Sequence, residues 1–233
     1  KLGNLQPSGT KILRICQKMT EISLTIVSDP ICPWCYIGRH RLSLAMERIK
    51  KDTKMKIVWN PFELNPQIPK EGMLRNDYLR IKFGSVRSAQ KIYANVSRAA
   101  EMDSLSINFE GISKTPNTRD AHKLIQYALD RGTQDKLVTA LFSAYFKKGQ
   151  DIGNFNTLVK LAETADIDRT DAENAILDPE LNTQVELLES KAIDMGITGV
   201  PSFLFNGRYL FSGAQSPETI RLSILNAVAK DLS

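Results

Sequence analysis

Apolar and polar residues alternate over Glu21 to Ser28 (EISLTIVS), placing Ile22, Leu24 and Ile26 on one face, and the β-branched content strengthens the case for a strand. Past Cys35 the period lengthens: Leu42, Leu44, Ala45, Met46 and Ile49 recur at helical spacings in IGRHRLSLAMERIKK, with basic residues near the end, where they suit the helix dipole. Lys56 to Asn60 (KIVWN) predicts a second short strand, and the prolines of PFELNPQIPKEG stop either element from continuing. From Leu74 to Met195 the pattern is helical only. Ala89, Ile92, Tyr93, Val96 and Ala99 repeat at three and four, as do Leu124, Ile125, Ala128 and Leu129, and then Leu137, Leu141, Phe142 and Tyr145; no strand is expected here.

Thr170-Asp171-Ala172-Glu173 has capping-box spacing, and a helix with Val185, Leu188, Ala192 and Met195 on one stripe stops at Gly196. The period then returns to two. SFLF and YLFS flank Asn206-Gly207, a strong hairpin signal, and Ser216-Pro217 opens a last helix with Ser216 as its cap. The order β-α-β, helical block, β-hairpin-α predicts an α/β fold. Its two half-sheets rejoin as one mixed central sheet, with a large all-α insertion packed over it. Residues 19–70 and 197–233 are expected to form one discontinuous domain and 71–196 the insertion.

A chain of 233 residues, 42% apolar and 24% charged, has the composition of a folded globular protein. The net charge of +5 is misleading, because Lys1, Lys11, Arg14 and Lys18 precede the first acid, Glu21. About +1 remains for the rest, too little to point to nucleic acid. Residues 1–18 lack regular periodicity and read as an N-terminal extension, disordered or non-native. No apolar run reaches membrane-spanning length and no secretory signal stands out, so no membrane association and a cytoplasmic location are expected.

The three cysteines are Cys16, on the extension, and the pair Cys32 and Cys35 in SDPICPWCYIG. So few exclude a disulfide scaffold. Disulfide exchange is carried by thiolate, and a helix start favours an anion through its free N–H groups and dipole. The dipole contributes only about 0.3–1 kcal/mol, so hydrogen bonds to the sulfur must add to it. One helical turn separates the two positions, which makes Cys32 the exposed attacking thiol and Cys35 the inner, resolving one. Pro33 fits the first helical position, and Trp34 offers an apolar surface beside the reactive sulfur.

Other uses of the pair are weaker. Zinc needs two more ligands, and Cys16, His40 and His122 are not in paired spacing, so no metal is expected. A structural disulfide across so short a loop stabilises little. His40, two turns beyond Cys32, reads as a solvated face residue, His122 as a helix-packing or polar surface residue, Asn117 as a cap, and Trp59 and Phe62 as core. Gly199-Val200-Pro201 before a strand reads by itself as a turn.

Cys32-Pro33-Trp34-Cys35 after a strand and Gly199-Val200-Pro201 before one resemble the thioredoxin superfamily, in its DsbA-like branch with a helical insert. DPICPWCYIG, VWNPFELNP, NTRDAH and GVPSFLFNGRYLFSGAQSPE resemble, in order, the recurring blocks of the FrnE-like subgroup. The resemblance implies a thioredoxin-like fold and a thiol-disulfide oxidoreductase with Cys32 as nucleophile and Cys35 as resolving thiol. It also implies a cis Val200–Pro201 bond facing them, where the Val200 backbone pairs with an extended substrate. The same branch holds glutathione-dependent hydroxychromene-carboxylate isomerases and kappa-type glutathione transferases, whose nucleophile position usually carries serine.

NTRDAH resembles a block near the active site in both groups, putting Asn117 and His122 on the expected rim. The expected partner is a disulfide- or thiol-containing protein or small molecule, handled by a monomer or homodimer. No bound cofactor is expected, with glutathione as an optional co-substrate. The alternatives are a glutathione-dependent isomerase or transferase and a chaperone-like polypeptide-binding module.

Overall fold

The computed structural model describes residues 22–49 and 55–231; the extension with Cys16, and Met19 to Glu21, lie outside them. Strand β1 (Ile22–Ser28) runs parallel to β2 (Met55–Pro61), the two joined by helix α1 (Pro33–Glu47). Strand β5 (Ser202–Phe205) pairs antiparallel with the other edge of β1 and with β6 (Arg208–Ser212), giving one mixed sheet in the order β2-β1-β5-β6. The rejoining of two sequence-distant half-sheets is the predicted arrangement. Leu24 and Ile26 of the alternating face are fully buried.

Local signals place several boundaries. At the β5–β6 turn, Asn206 (φ 47°) and Gly207 (φ 76°) both have the positive φ that a two-residue hairpin of this type needs. Helix α8 (Pro179–Asp194) ends with the Ile197 amide bonded to the Ala192 carbonyl (3.0 Å) and the Gly196 amide to that of Ile193 (2.8 Å). Gly196 at φ 78° makes that closure. Helix α9 (Pro217–Asp231) is capped by Ser216, whose Oγ accepts from the Thr219 amide at 3.1 Å.

Three boundaries differ. Helix α1 stops at Glu47, before the basic residues expected to close it, and Arg48 and Ile49 bond back to Ala45 and Met46 (3.1 Å each). The cap of α7 (Arg169–Leu177) is Asp168, which accepts from the Thr170 amide at 2.8 Å, so the Thr170 box lies inside the helix. The block expected to lack strands holds a short ribbon, β3 (Met73–Leu74) with β4 (Lys114–Thr115), too short to leave a periodic trace.

The helices between the half-sheets are α2 (Arg75–Phe83), α3 (Val86–Glu101), α4 (Arg119–Tyr127), α5 (Gln134–Phe146), α6 (Phe155–Thr164), α7 and α8. Helices α1 and α9 pack together, while α4, α5 and α8 pack against β2. One apolar core runs through both parts of the molecule. Tyr36 of α1 stacks on Phe142 (5.5 Å) and Phe146 (5.3 Å) of α5, and Trp59 meets Phe142 edge-on at 6.4 Å. These aromatic contacts bind the head of α1 to the helical block.

A polar clasp adds to them. Arg41 donates to Asp103 Oδ2 (2.6 Å), the Ala214 carbonyl (2.5 Å) and the Ala99 carbonyl (3.3 Å). His40, expected in solvent, is partly buried with Nε2 3.0 Å from the Asp103 carbonyl, because α3 closes over that face of α1. Trp59 is buried, and Phe62 packs beside a smaller cluster of Val27, Ala192, Ile197 and Leu204.

Candidate active site

Cys32 is the cap residue of α1, extended at φ −84° and ψ 116°, and Pro33 takes the first helical position, where its missing N–H removes nothing the helix needs. The Cys32 amide donates to the Asp29 carbonyl (3.0 Å), and the Tyr36 amide to the Cys32 carbonyl (3.1 Å), so the turn and the first helical bond hold the cysteine from both sides. Both cysteines are free thiols. Trp34 stands 38% exposed beside them.

The Val200–Pro201 bond is cis, and the Cys32 thiol donates to the Val200 carbonyl at 3.6 Å. This approach corrects one expectation. Cys32 is 4% exposed rather than open at the turn, since the segment before β5 meets its sulfur and the residue belongs to the apolar core. A cleft of about 440 Å³ runs along the same segment, lined by Met195 to Ser202 with Tyr209, Ser212 and Gly213.

Gly38 explains how α1 can lie so close to Pro201. A Cβ at Gly38 would sit 3.0 Å from Pro201 Cγ and 3.8 Å from Ala214 Cα. Alanine there gains helix propensity of about 1 kcal/mol against the tight contact. Valine adds branches that have nowhere to go, and overpacking of this kind costs about 1–3 kcal/mol. Gly38→Val is therefore expected to lower stability in urea by that amount and to slow exchange by displacing Pro201 from Cys32. Unchanged unfolding midpoint and rate would show that the contact is not limiting.

Cys35 is fully buried, and burial pushes its thiol well above the ordinary range. The hydrogen bond and charge of the adjacent Cys32 sulfur raise it further, while Ser28 and the Asp29 backbone pull it down. The two sulfurs are thus in contact, but the inner one holds its proton tightly.

Behind Cys35 lies a group that the sequence reading passed over. Asp29 is fully buried; its Oδ2 accepts from the Leu64 amide (2.8 Å) and its Oδ1 from the Ile31 amide (3.2 Å). One carboxylate thereby ties the cysteine turn to the loop after β2. Burial pushes its pKa up to about 7, with the Leu64 and Ile31 amides opposing and the charge of Glu63 adding to the rise. An acid three residues before Cys32, amid apolar neighbours, was the available signal.

His122 on α4 faces this carboxyl, with Nε2 3.9 Å from Asp29 Oδ1. It is 1% exposed and so lies beneath the site instead of on its rim, because α4 turns this face onto the sheet. Neither ring nitrogen has a hydrogen-bond partner among the described residues. Burial, helped by the charge of Arg119, lowers its pKa to about 3. Beside it, a cavity of about 10 Å³ lined by Ser28, Pro30, Trp59 and Asn60 is about the size of one water.

Asn117 does act as a cap, from one position further out than usual: its Oδ1 accepts from the Arg119 amide at 2.9 Å. Its Nδ2 donates to the Ile68 carbonyl (2.8 Å), and the residue lines a separate cleft with Glu63, Lys70 and Arg119. The structure thus brings together Cys32, Cys35, Val200 and Pro201, with His122 one layer behind and Asn117 apart. Among the described residues no three His, Cys, Asp or Glu side chains are grouped to hold a metal, and no helix is long and apolar enough to cross a membrane.

The DSBA-like thioredoxin domain profile matches residues 23–224. A Bacillus subtilis (strain 168) relative, uncharacterized protein YwbO, is 27% identical over 208 residues, which is 87% of this chain and 96% of the relative. Among solved structures, a probable DsbA oxidoreductase from Streptomyces coelicolor superposes with a TM-score of 0.81 and 28% identity, covering 90% of this chain and 91% of that one. The cytosolic disulfide reductase DsbM from Pseudomonas aeruginosa, solved with GSH, shares the fold at a TM-score of 0.66 and 15% identity, covering 89% and 99%.

Proposed function

Because the chain belongs to the DSBA-like thioredoxin domain family, we propose that it is a thiol-disulfide oxidoreductase that exchanges disulfides through Cys32 and Cys35. The observation that carries this reading is the pairing of an outer thiol at a helix start with a buried thiol in contact with it, both opposite Val200.

In the reducing direction, the Cys32 thiolate attacks one sulfur of a substrate disulfide. An S–S bond forms between Cys32 and that sulfur, and the other substrate sulfur leaves as thiolate. Cys35 then gives up its proton and attacks Cys32 Sγ, forming the Cys32–Cys35 disulfide and releasing the first substrate sulfur as thiolate. Two electrons pass from the dithiol to the substrate, and the oxidising direction is the reverse. Ionising Cys32 also removes the donor to the Val200 carbonyl, freeing that oxygen to accept an N–H from an extended peptide.

The proton on Cys35 needs an acceptor in a buried place. Asp29 supplies one: its backbone already bonds to the Cys35 thiol, and its carboxyl, with a pKa near 7, can take up and release a proton at neutral pH. Neutral His122 faces the same carboxyl at 3.9 Å and, with its pKa near 3, leaves the proton on Asp29. Glutathione is the small thiol we propose as co-substrate, in a reducing compartment such as the cytoplasm. The presence of both cysteines favours exchange over an isomerase or transferase reaction that needs one thiol or none.

Trapping tests the reading. Cys35→Ser leaves the attacking thiol and removes the resolving one, so incubation with a substrate disulfide should accumulate one mixed disulfide per chain, on Cys32 and released by dithiothreitol. Intact-mass spectra without that adduct would overturn the proposal.

A further inference from the structure

Helix α2 brings two cations to one tyrosine. The Arg75 guanidinium carbon lies 5.3 Å from the Tyr78 ring centre and 5.1 Å from that of Tyr93, and Lys82 Nζ lies 5.5 Å from the Tyr78 ring. Arg75 donates to Thr115 Oγ1 (3.0 Å) and Tyr145 Oη (3.4 Å), and Lys82 to Asn65 Oδ1 (2.8 Å). All of these acceptors are neutral. Among the described residues neither cation has a carboxylate partner, whereas Arg80 on the same helix is paired with Asp77 at 2.7 Å. Cation–π contact is weak beside a full ion pair, which leaves most of the charge of a half-buried guanidinium uncompensated.

Hydrogen bonds carry the cluster to the cysteine turn: Lys82 holds Asn65, the neighbouring Leu64 amide donates to Asp29 Oδ2 (2.8 Å), and the Asp29 carbonyl accepts from the Cys32 amide (3.0 Å). Partial desolvation lowers the pKa of the Lys82 ammonium, the charges of Asp29 and Cys32 raise it, and the Arg75 charge lowers it again. Burial raises the Tyr78 and Tyr93 hydroxyls, and the Cys32 charge adds to that rise. While Cys32 is a thiolate it supplies part of the missing negative charge. Once it joins a substrate sulfur that charge is gone, and the two cations face only what the substrate brings. Lys82 is open to solvent and so to an arriving ligand.

We infer that Arg75 and Lys82 form a cationic subsite beside Cys32 that selects disulfides carrying a carboxylate close to the sulfur. This deepens the exchange reading above and rests on it. The same chemistry is found in a small anionic disulfide and in an acidic residue beside a protein cysteine.

Three small disulfides of similar size separate the terms: 3,3′-dithiodipropionate (anionic), bis(2-hydroxyethyl) disulfide (neutral) and cystamine (cationic). Each is reacted with the reduced protein, and its rate is divided by the rate of dithiothreitol with the same compound. The expected order is anionic, neutral, cationic, with about tenfold between the first two at low salt, shrinking as salt screens the charges. Lys82→Gln should collapse that ratio and Lys82→Arg restore it.

Equal normalised rates for all three compounds overturn the subsite while leaving the exchange reading intact. No reaction with any of them, together with no reduction of insulin, overturns both. Disulfide-linked peptides with Asp or Asn beside the cysteine distinguish the sources. A preference for Asp supports a protein partner, and its absence alongside the small-molecule preference supports a small anionic disulfide.

Discussion

Cys32→Ser lowers the rate of disulfide exchange at least a thousandfold, measured as insulin reduction in the presence of dithiothreitol after subtracting the uncatalysed rate. A hydroxyl is not ionised at neutral pH, and the nearest remaining thiol cannot take over. Cys35 is fully buried, and its burial holds the proton on. A thousandfold loss corresponds to about 4 kcal/mol of transition-state stabilisation, more than a change in packing from so conservative a replacement supplies. Cys35→Ser should behave differently in the same assay, losing turnover while keeping the first attack. Retention of a tenth of the activity in Cys32→Ser, with unchanged circular dichroism, would move the chemistry away from this motif.

The second large effect belongs to Asp29. In the unfolded chain its pKa lies near 3.8, and in the folded chain it is raised to about 7. Between those values the folded state holds a proton that the unfolded state has lost, so this carboxyl makes stability fall as pH rises through the window. His122 works in the opposite sense. Its folded pKa of about 3 lies below the ordinary 6.5, so its contribution is present above pH 6.5 and is lost as pH falls towards 3.

From about pH 4 to 6.5 the buried pair holds one proton in the folded state, whether on oxygen or on nitrogen, and the same two groups hold one in the unfolded state. The two slopes therefore cancel in the wild type. Asp29→Asn uncovers the rising limb. Relative to wild type, its unfolding free energy should climb by about 1.4 kcal/mol per pH unit across this range, about 4 kcal/mol by pH 7. A constant offset of about 1–3 kcal/mol opposes it, because asparagine offers one acceptor where the Leu64 and Ile31 amides use two. Urea titrations at several pH values read the slope independently of that offset, and parallel curves for the two proteins would remove Asp29 as a titrating group. The same variant should slow release of substrate from the mixed disulfide, with the slowing relieved at higher pH as Cys35 ionises unaided.

The elements that proved legible in the chain are those whose causes are local. Alternation buried Leu24 and Ile26, Asn206-Gly207 turned the hairpin because both residues accept positive φ, and Pro33 opened α1 where no amide was needed. Where several local signals compete, geometry chose among them: Asp168 caps α7 although Thr170 carries the better-known spacing, since the chain enters the helix two residues earlier. Two-residue strands such as β3 and β4 escape any periodic reading.

The sequence by itself determined the chemistry available: two thiols one helical turn apart at a helix start, with Pro33 and Trp34 between them. That spacing is local, because helical periodicity and capping act over three or four residues, but it did not reveal that both thiols are buried. Only the tertiary structure decided the environment. It set the Val200 carbonyl against Cys32, turned His122 onto Asp29, and gathered Arg75 and Lys82 around Tyr78. Each of these depends on burial and on contact between segments far apart in the chain. Burial is what raises Asp29, lowers His122 and covers Cys32, and it exists only once the sheet has closed and the helical block has packed over it.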